Sequence, residues 1–220
     1  MSKTAIVLGA TGLTGHALLE KLLKDDTYSQ VKLFSRSKID LTHPKIEEYL
    51  IDLFQLSEYQ EQFNADVVFC CIGTTKNKTP NKKLYKKIDF GIPVAAAKLC
   101  EQNNISKFIV ISALGANRQS KIFYNRVKGE MQDAVKQFTI DKTYILQPSL
   151  IDTKREERRI GEYLFIQFMR VINPLLAGKL KKYRSIKPET IAKAMCWLDK
   201  NSIDKDIIES DEIQEIALKW

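Results

Sequence analysis

Short apolar runs rich in β-branched residues alternate along the chain with longer stretches whose apolar positions recur at helical spacing. The first rhythm is that of buried strands and the second that of amphipathic helices. Strands are predicted at TAIVL, VKLFS, IEEYLI, DVVFCC, KFIVIS and KTYILQ, with a weaker one at DIIE. Between them, helices are predicted over residues 13–23, 56–62, 84–102, 123–138 and 189–198. The near-continuous runs VVFCC and FIVIS suit strands covered on both faces, and right-handed crossovers then give a parallel, doubly wound sheet of the α/β class, a Rossmann fold. In such sheets a ligand sits beyond the carboxyl ends of the strands, where the strand order reverses. The expected organisation is a single domain over residues 1–220, with 149–220 contributing a small helical elaboration over the substrate side. No internal repeat or low-complexity linker divides it.

Directly after the first predicted strand come three glycines in GATGLTG, at Gly9, Gly12 and Gly15. Strand, glycine turn and helix in succession can hold a dinucleotide pyrophosphate: the turn takes positive φ, the backbone approaches the phosphates, and the helix end offers free N–H groups. The spacing is GxxGxxG rather than GxGxxG, and a bare tight turn is the plain alternative. The second strand ends in Ser35 and Arg36, where a dinucleotide domain usually carries an acidic residue for the ribose hydroxyls. An arginine can pair with a 2′-phosphate that a carboxylate would repel, which favours NADP(H) over NAD(H), unless Arg36 is simply solvated. Asp52 and Leu53 follow the third strand, where an adenine edge and face could be met. CCIGTT closes the fourth, with Gly73 for another close backbone approach and Thr74 for its hydroxyl, a turn that suits the adenosine-side ribose and the pyrophosphate rather than the reacting ring. Cys71 reads as a packing or backbone contact, because burial beside apolar residues raises a thiol's pKa.

The candidate chemistry lies in ISALGANRQSKIFYNRVKGE. Ser112 closes the fifth strand, and Tyr124 and Lys128, four residues apart in a helix, project from one face. A phenol titrates near about 10, too high to exchange protons readily at neutral pH, and a neighbouring ammonium lowers that value. Tyr124 could then give a proton to a carbonyl, or take one from an alcohol, while Ser112 holds the substrate oxygen. Surface Tyr and Lys on an ordinary amphipathic helix are the competing reading.

Composition narrows the classes. The start of the chain reads as strand and turn rather than as a signal or transit peptide. Four cysteines without CxxC spacing suit free thiols in a reducing compartment, and a cytoplasmic location is expected. With only His16 and His43, a zinc site has almost nothing to be built from. The net charge of +8 concentrates in TKNKTPNKKLYKK, TKREERRIGE and GKLKKYRSIK. A solvated surface or the steering of an anionic cofactor accounts for it, since nothing matches a nucleic-acid fold and no specific nucleic acid is expected as a partner. The apolar stretch over residues 161–183 is too interrupted by Arg170, Asn173 and Pro174 to cross a bilayer. It could cap the substrate pocket through Tyr163, Phe165, Phe168 and Met169, pair with a second copy to make a homodimer, or lie on a membrane.

LGATGLTG, FCCIGTT, SALGA, YNRVKGE and KREERRIGE together resemble the short-chain dehydrogenase/reductase superfamily in its atypical or extended branch. More narrowly they are similar to the Tat-interacting-protein oxidoreductase subfamily and its bacterial relatives, often labelled nucleoside-diphosphate-sugar epimerases, over nearly the whole chain. The resemblance implies NADP(H) at Gly9, Thr11, Gly12, Leu13, Thr14 and Gly15, with Arg36, Gly73 and Thr74 contributing. It implies Ser112, Tyr124 and Lys128 as a catalytic trio, and Pro148 and Leu150 in QPSLI beside the nicotinamide. Asp89 stands where many relatives have asparagine, and Ser149 replaces the glycine of a common Pro-Gly pair. Too few residues follow Pro148 for an epimerase's substrate domain, so epimerase activity is not expected. The function expected is an NADP(H)-dependent oxidoreductase acting on a small carbonyl or alcohol. The alternative is an NADPH-sensing scaffold with little or no turnover.

Overall fold

The computed structural model describes residues 2–152, 176 and 178–220. Seven strands form one sheet: β1 (Lys3–Leu8), β2 (Tyr28–Ser35), β3 (Ile46–Leu50), β4 (Val67–Cys70), β5 (Lys107–Ile111), β6 (Lys142–Gln147) and β7 (Ile207–Glu209). Every pairing is parallel, in the order β3-β2-β1-β4-β5-β6-β7. This is the doubly wound fold the alternating pattern predicts. The order reverses between β1 and β4, where Leu8 lies between Phe34 and Cys70. The crevice therefore opens above the end of β1.

Alternation along the strands divides the core in two. Ala5 and Val7 face one layer, built with α1 (Leu13–Lys24), α5 (Pro188–Lys200) and α6 (Ser210–Ala217). Ile6 and Leu8 face the other, built with α3 (Ile92–Gln102) and α4 (Phe123–Val135). α5, β7 and α6, which fall in the stretch expected to form the elaboration, are part of these layers. Residues 153–175, and with them Tyr163, Phe165, Phe168 and Met169, lie outside the described residues.

Two predicted helices differ in detail. Residues 53–59 form a 3-10 segment rather than an α-helix, broken at Gln55 and started by the Asp52 carboxylate, which accepts from the Phe54 N–H. The helix expected over 84–102 is three pieces: α2 (Lys82–Lys86), a widened π turn (Lys87–Gly91) and α3. The physical reason is Pro93, which has no N–H for the Asp89 carbonyl four residues back. Ile92 N–H reaches instead five residues back to Lys87. That widening turns Asp89 inward until it is wholly buried. Among the described residues no helix is long and apolar enough to cross a membrane.

Candidate functional site

β1 delivers its carboxyl end to Gly9 in the left-handed region, at φ 84°. A Cβ there would lie 2.9 Å from the Cys71 carbonyl oxygen. The Gly9 carbonyl accepts the Gly12 N–H at 2.9 Å, and a Cβ at Gly15 would stand 2.1 Å from that same oxygen. Two of the three glycines are thus required by the packing of turn, strand and helix on one another. Gly12 differs: it is exposed and begins α1 with no side-chain cap and no acidic residue in the first turn. The first N–H groups of a helix have no partner within it. Free amides at a positive dipole end, bare of a Cβ at Gly12, fit a dinucleotide pyrophosphate. Thr11 and Leu13 are exposed beside this end, and Thr14 is buried beneath it.

At the end of β2, Ser35 is buried and its hydroxyl donates to the Ser37 carbonyl at 2.8 Å, while Arg36 is exposed. Asp52 is engaged as the cap of the 3-10 segment, and Leu53 packs into the core layer behind it. Leu53, expected to meet an adenine face, is 5% exposed. Cys71 supports the glycine turn through its backbone, taking the Leu8 carbonyl with its N–H. Its thiol contacts the Met195 sulfur and is held well above its ordinary range by burial, so it is no nucleophile.

Gly73, expected beside the adenosine-side ribose and pyrophosphate, borders the candidate catalytic residues instead. A Cβ there would lie 3.6 Å from Asp89 Oδ1 and 3.8 Å from Lys128 Nζ, so its open face looks onto a buried ion pair. Asp89 Oδ1 and Lys128 Nζ are 3.0 Å apart, and both side chains are almost fully shielded. Asp89 Oδ2 accepts the Thr74 N–H at 2.8 Å, and Lys128 Nζ also donates to the Ile111 carbonyl at 3.3 Å. Thr74 turns its hydroxyl to Thr79 and its carbonyl to the Tyr85 hydroxyl, so both serve to shape the loop.

One turn before Lys128, Tyr124 is 40% exposed and stands edge-on to Tyr85 with ring centroids 6.5 Å apart. Burial raises its pKa, Lys128 lowers it, Asp89 raises it again, and the net direction is upward. Lys128 thus acts in the expected downward sense, but burial outweighs it and the net shift is the reverse of the one expected. The Lys128 ammonium is already committed to Asp89, which holds Lys128 above its ordinary range although burial alone would lower it. Ser112 is brought to the same face of α4 one turn further on, where its Oγ accepts from Gln132 Nε2 at 2.5 Å. Gln132 Oε1 in turn accepts from Gln147 Nε2 at 3.1 Å, and all three residues are buried.

Pro148 is buried, and its carbonyl accepts the Leu114 N–H, joining the loops after β5 and β6. Leu150 is exposed and its carbonyl takes the Ile186 N–H. Ser149 is bonded to the Arg184 carbonyl and receives the Ser210 hydroxyl at 3.0 Å, so it ties this segment down.

Three site residues escape a reading of the sequence. Gln132 continues the i, i+4 ladder of Tyr124 and Lys128 and could have been found by extending it one turn. Gln147 could not, because only strand pairing brings it to Gln132. Gly129 lets the loop after β5 fold onto α4: a Cβ there would stand 2.2 Å from Arg118 N.

A family model described as NAD(P)H-binding matches residues 9–164. Protein HTATIP2 of Rattus norvegicus is 30% identical over 171 residues, covering 76% of this chain and 70% of the relative. Protein FMP52-1, mitochondrial, of Scheffersomyces stipitis is 31% identical over 158 residues, covering 70% of this chain and 69% of the relative. Among solved structures, the Bordetella bronchiseptica enzyme WbmG in complex with NAD has a TM-score of 0.70 at 8% identity, covering all of this chain and 78% of that one. UDP-glucose 4-epimerase of Thermotoga maritima has a TM-score of 0.68 at 12% identity, covering 98% and 82%. At such identities the likeness is one of fold.

Proposed function

The chain belongs to the NAD(P)H-binding family and is a homologue of HTATIP2, and from that premise we propose that it is an NADP(H)-dependent oxidoreductase acting on a small carbonyl or alcohol. The observation that carries the reading is the placement of exposed Tyr124 one turn before buried Lys128 on α4, with Lys128 reaching the open face of Gly73 at the carboxyl edge of the sheet. Gly9, Gly12 and Gly15 with the first turn of α1 would hold the pyrophosphate, and Gly73 would border the nicotinamide ribose. When bound, the reduced cofactor supplies a hydride to the carbonyl carbon. Tyr124 gives its phenolic proton to the carbonyl oxygen, and the phenolate left behind recovers a proton from solvent. The Ser112 oxygen already accepts from Gln132, so its own O–H is directed to the substrate oxygen.

NADP(H) rather than NAD(H) is supported by Arg36 at the end of β2, exposed where a carboxylate would otherwise meet the ribose. The free thiols among the described residues suit a reducing compartment, and we place the chain in the cytoplasm. The fungal relatives named FMP52 carry a mitochondrial designation, so fractionation of the source cells is the check.

Purified protein should oxidise NADPH stoichiometrically with a carbonyl from a broad aldehyde and ketone panel. Tyr124→Phe should lower that rate by about 10²-fold or more while leaving NADPH affinity intact. Tight NADPH binding without turnover across the panel would replace this reading with that of a nucleotide-sensing scaffold.

A further inference from the structure

Resting on the reading just given, we propose that Asp89 is a positioning residue that commits Lys128 as its counter-ion and so leaves Tyr124 a proton donor, making this a site that reduces carbonyls rather than one that oxidises alcohols near neutral pH. The geometry begins with the π turn. Pro93 prevents a regular helix through residues 87–93, and the widened turn drives Asp89 into the interior. One oxygen is fixed by the Thr74 N–H at 2.8 Å, which leaves the other to face Lys128 Nζ at 3.0 Å. Among the described residues Oδ1 meets no donor other than this ammonium. A carboxylate placed this deep requires a cation beside it.

Tyr124 consequently faces an ammonium already paired with a carboxylate, not a lone cation. The charged and titratable groups around it are Lys128 on its own helix, Asp89 from the π turn and Tyr85 from α2. Further out, Lys82 and Arg126 flank the Phe123 ring. A lone buried ammonium would stabilise a phenolate strongly. An ammonium with a carboxylate at 3.0 Å presents only a dipole, whose field falls off faster than that of a charge. Burial then acts against the phenolate, Lys128 opposes it, and Asp89 offsets part of that opposition, so the net direction for Tyr124 is upward.

The consequence is directional. In reduction, hydride forms the new C–H bond, the C=O π pair takes the Tyr124 proton to make the O–H bond, and Tyr124 is left as phenolate. That step needs the phenol protonated, as burial and the ion pair keep it. Oxidation needs the phenolate beforehand, to remove the alcohol proton as hydride leaves, and becomes effective only at alkaline pH.

The test uses ligand-free protein and needs no substrate. Tyrosinate absorbance is titrated against pH for the wild type and for Tyr124→Phe, and the difference isolates Tyr124. The expected midpoint is at or above the free phenol's value of about 10. A midpoint below that value overturns the proposal without recourse to any Asp89 variant. The same difference in an Asp89→Asn background should fall by about one pH unit or more, because the amide carries no charge to occupy Lys128. An unmoved midpoint there also overturns it. Absence of turnover on every carbonyl would end the oxidoreductase reading and leave the titration result standing, so the two failures are distinguishable.

Discussion

Gly15 and Gly12 sit three residues apart in one turn and do different work. An alanine at Gly15 would place its methyl 2.1 Å from the Gly9 carbonyl, which is backbone and can yield only by moving α1 off β1. At Gly12 the same methyl meets only that oxygen, at 3.3 Å, and otherwise faces the solvent side where a phosphate would approach. Gly15→Ala is therefore expected to cost about 1–3 kcal/mol of stability, and Gly12→Ala much less. Dinucleotide affinity should fall in both. Thermal melts paired with calorimetry separate the cases, and equal melting losses would contradict this division of labour. Arg36 carries a second residue-scale expectation. Replacing it with alanine should weaken NADPH about tenfold or more while NADH is unchanged, since a charge-assisted hydrogen bond is worth about 1.5–3 kcal/mol. Equal loss for both nucleotides would show Arg36 to be a solvated side chain.

At the scale of elements, the chain holds its two ends apart by function. The carboxyl end of α5 is fastened beneath the sheet by Asp199, which is 2.9 Å from Lys3 Nζ and accepts the Tyr28 hydroxyl at 2.6 Å. Lys107 donates to the Leu198 carbonyl at 3.2 Å. Lys3, Tyr28 and Lys107 begin β1, β2 and β5, so this cluster lies at the amino edge, opposite the glycine turn. Asp199→Ala leaves the partly buried Lys3 and Lys107 ammonium groups and the Tyr28 hydroxyl without their carboxylate and should cost about 1–3 kcal/mol in denaturant unfolding. NADPH affinity of the folded fraction should not change, and a large loss of affinity would place the cluster in the site's support after all. On the opposite edge, the interrupted helix of α2, π turn and α3 shows what a periodic pattern conceals. The apolar spacing over 84–102 reads as one helix because a single extra residue in a turn barely alters the stripe. Pro93 was the visible signal, and its consequence, a buried aspartate, follows only once the turn is packed against α4.

Over the whole molecule, buried thiols give stability an alkaline limit. Burial pushes Cys70 from 9.0 up to about 11 and Cys196 up to about 12. A group with a raised folded pKa keeps its proton while the unfolded chain loses it, so stability is intact below about 9 and declines as pH rises toward about 11. Tyr28 and Tyr85, raised by burial, act with the same sign. Denaturant titrations under reducing conditions should show a plateau through neutral pH and a fall above about 9, less steep in a Cys70→Ala, Cys196→Ala double variant. A flat profile to about pH 11 would mean that these thiols are solvated.

The sequence by itself determined the order of strands and helices, the parallel sheet and the position of the glycine turn. These depend on local periodicity and on chirality rules that hold whatever the distant neighbours are. It likewise placed Tyr124 and Lys128 on one helical face. Only the tertiary structure decided the electrostatics of that face. Asp89 lies thirty-nine positions from Lys128 along the chain and 3.0 Å from it in space. The charge that a phenol experiences is the sum over such spatial neighbours, weighted by burial, and no local pattern encodes either quantity.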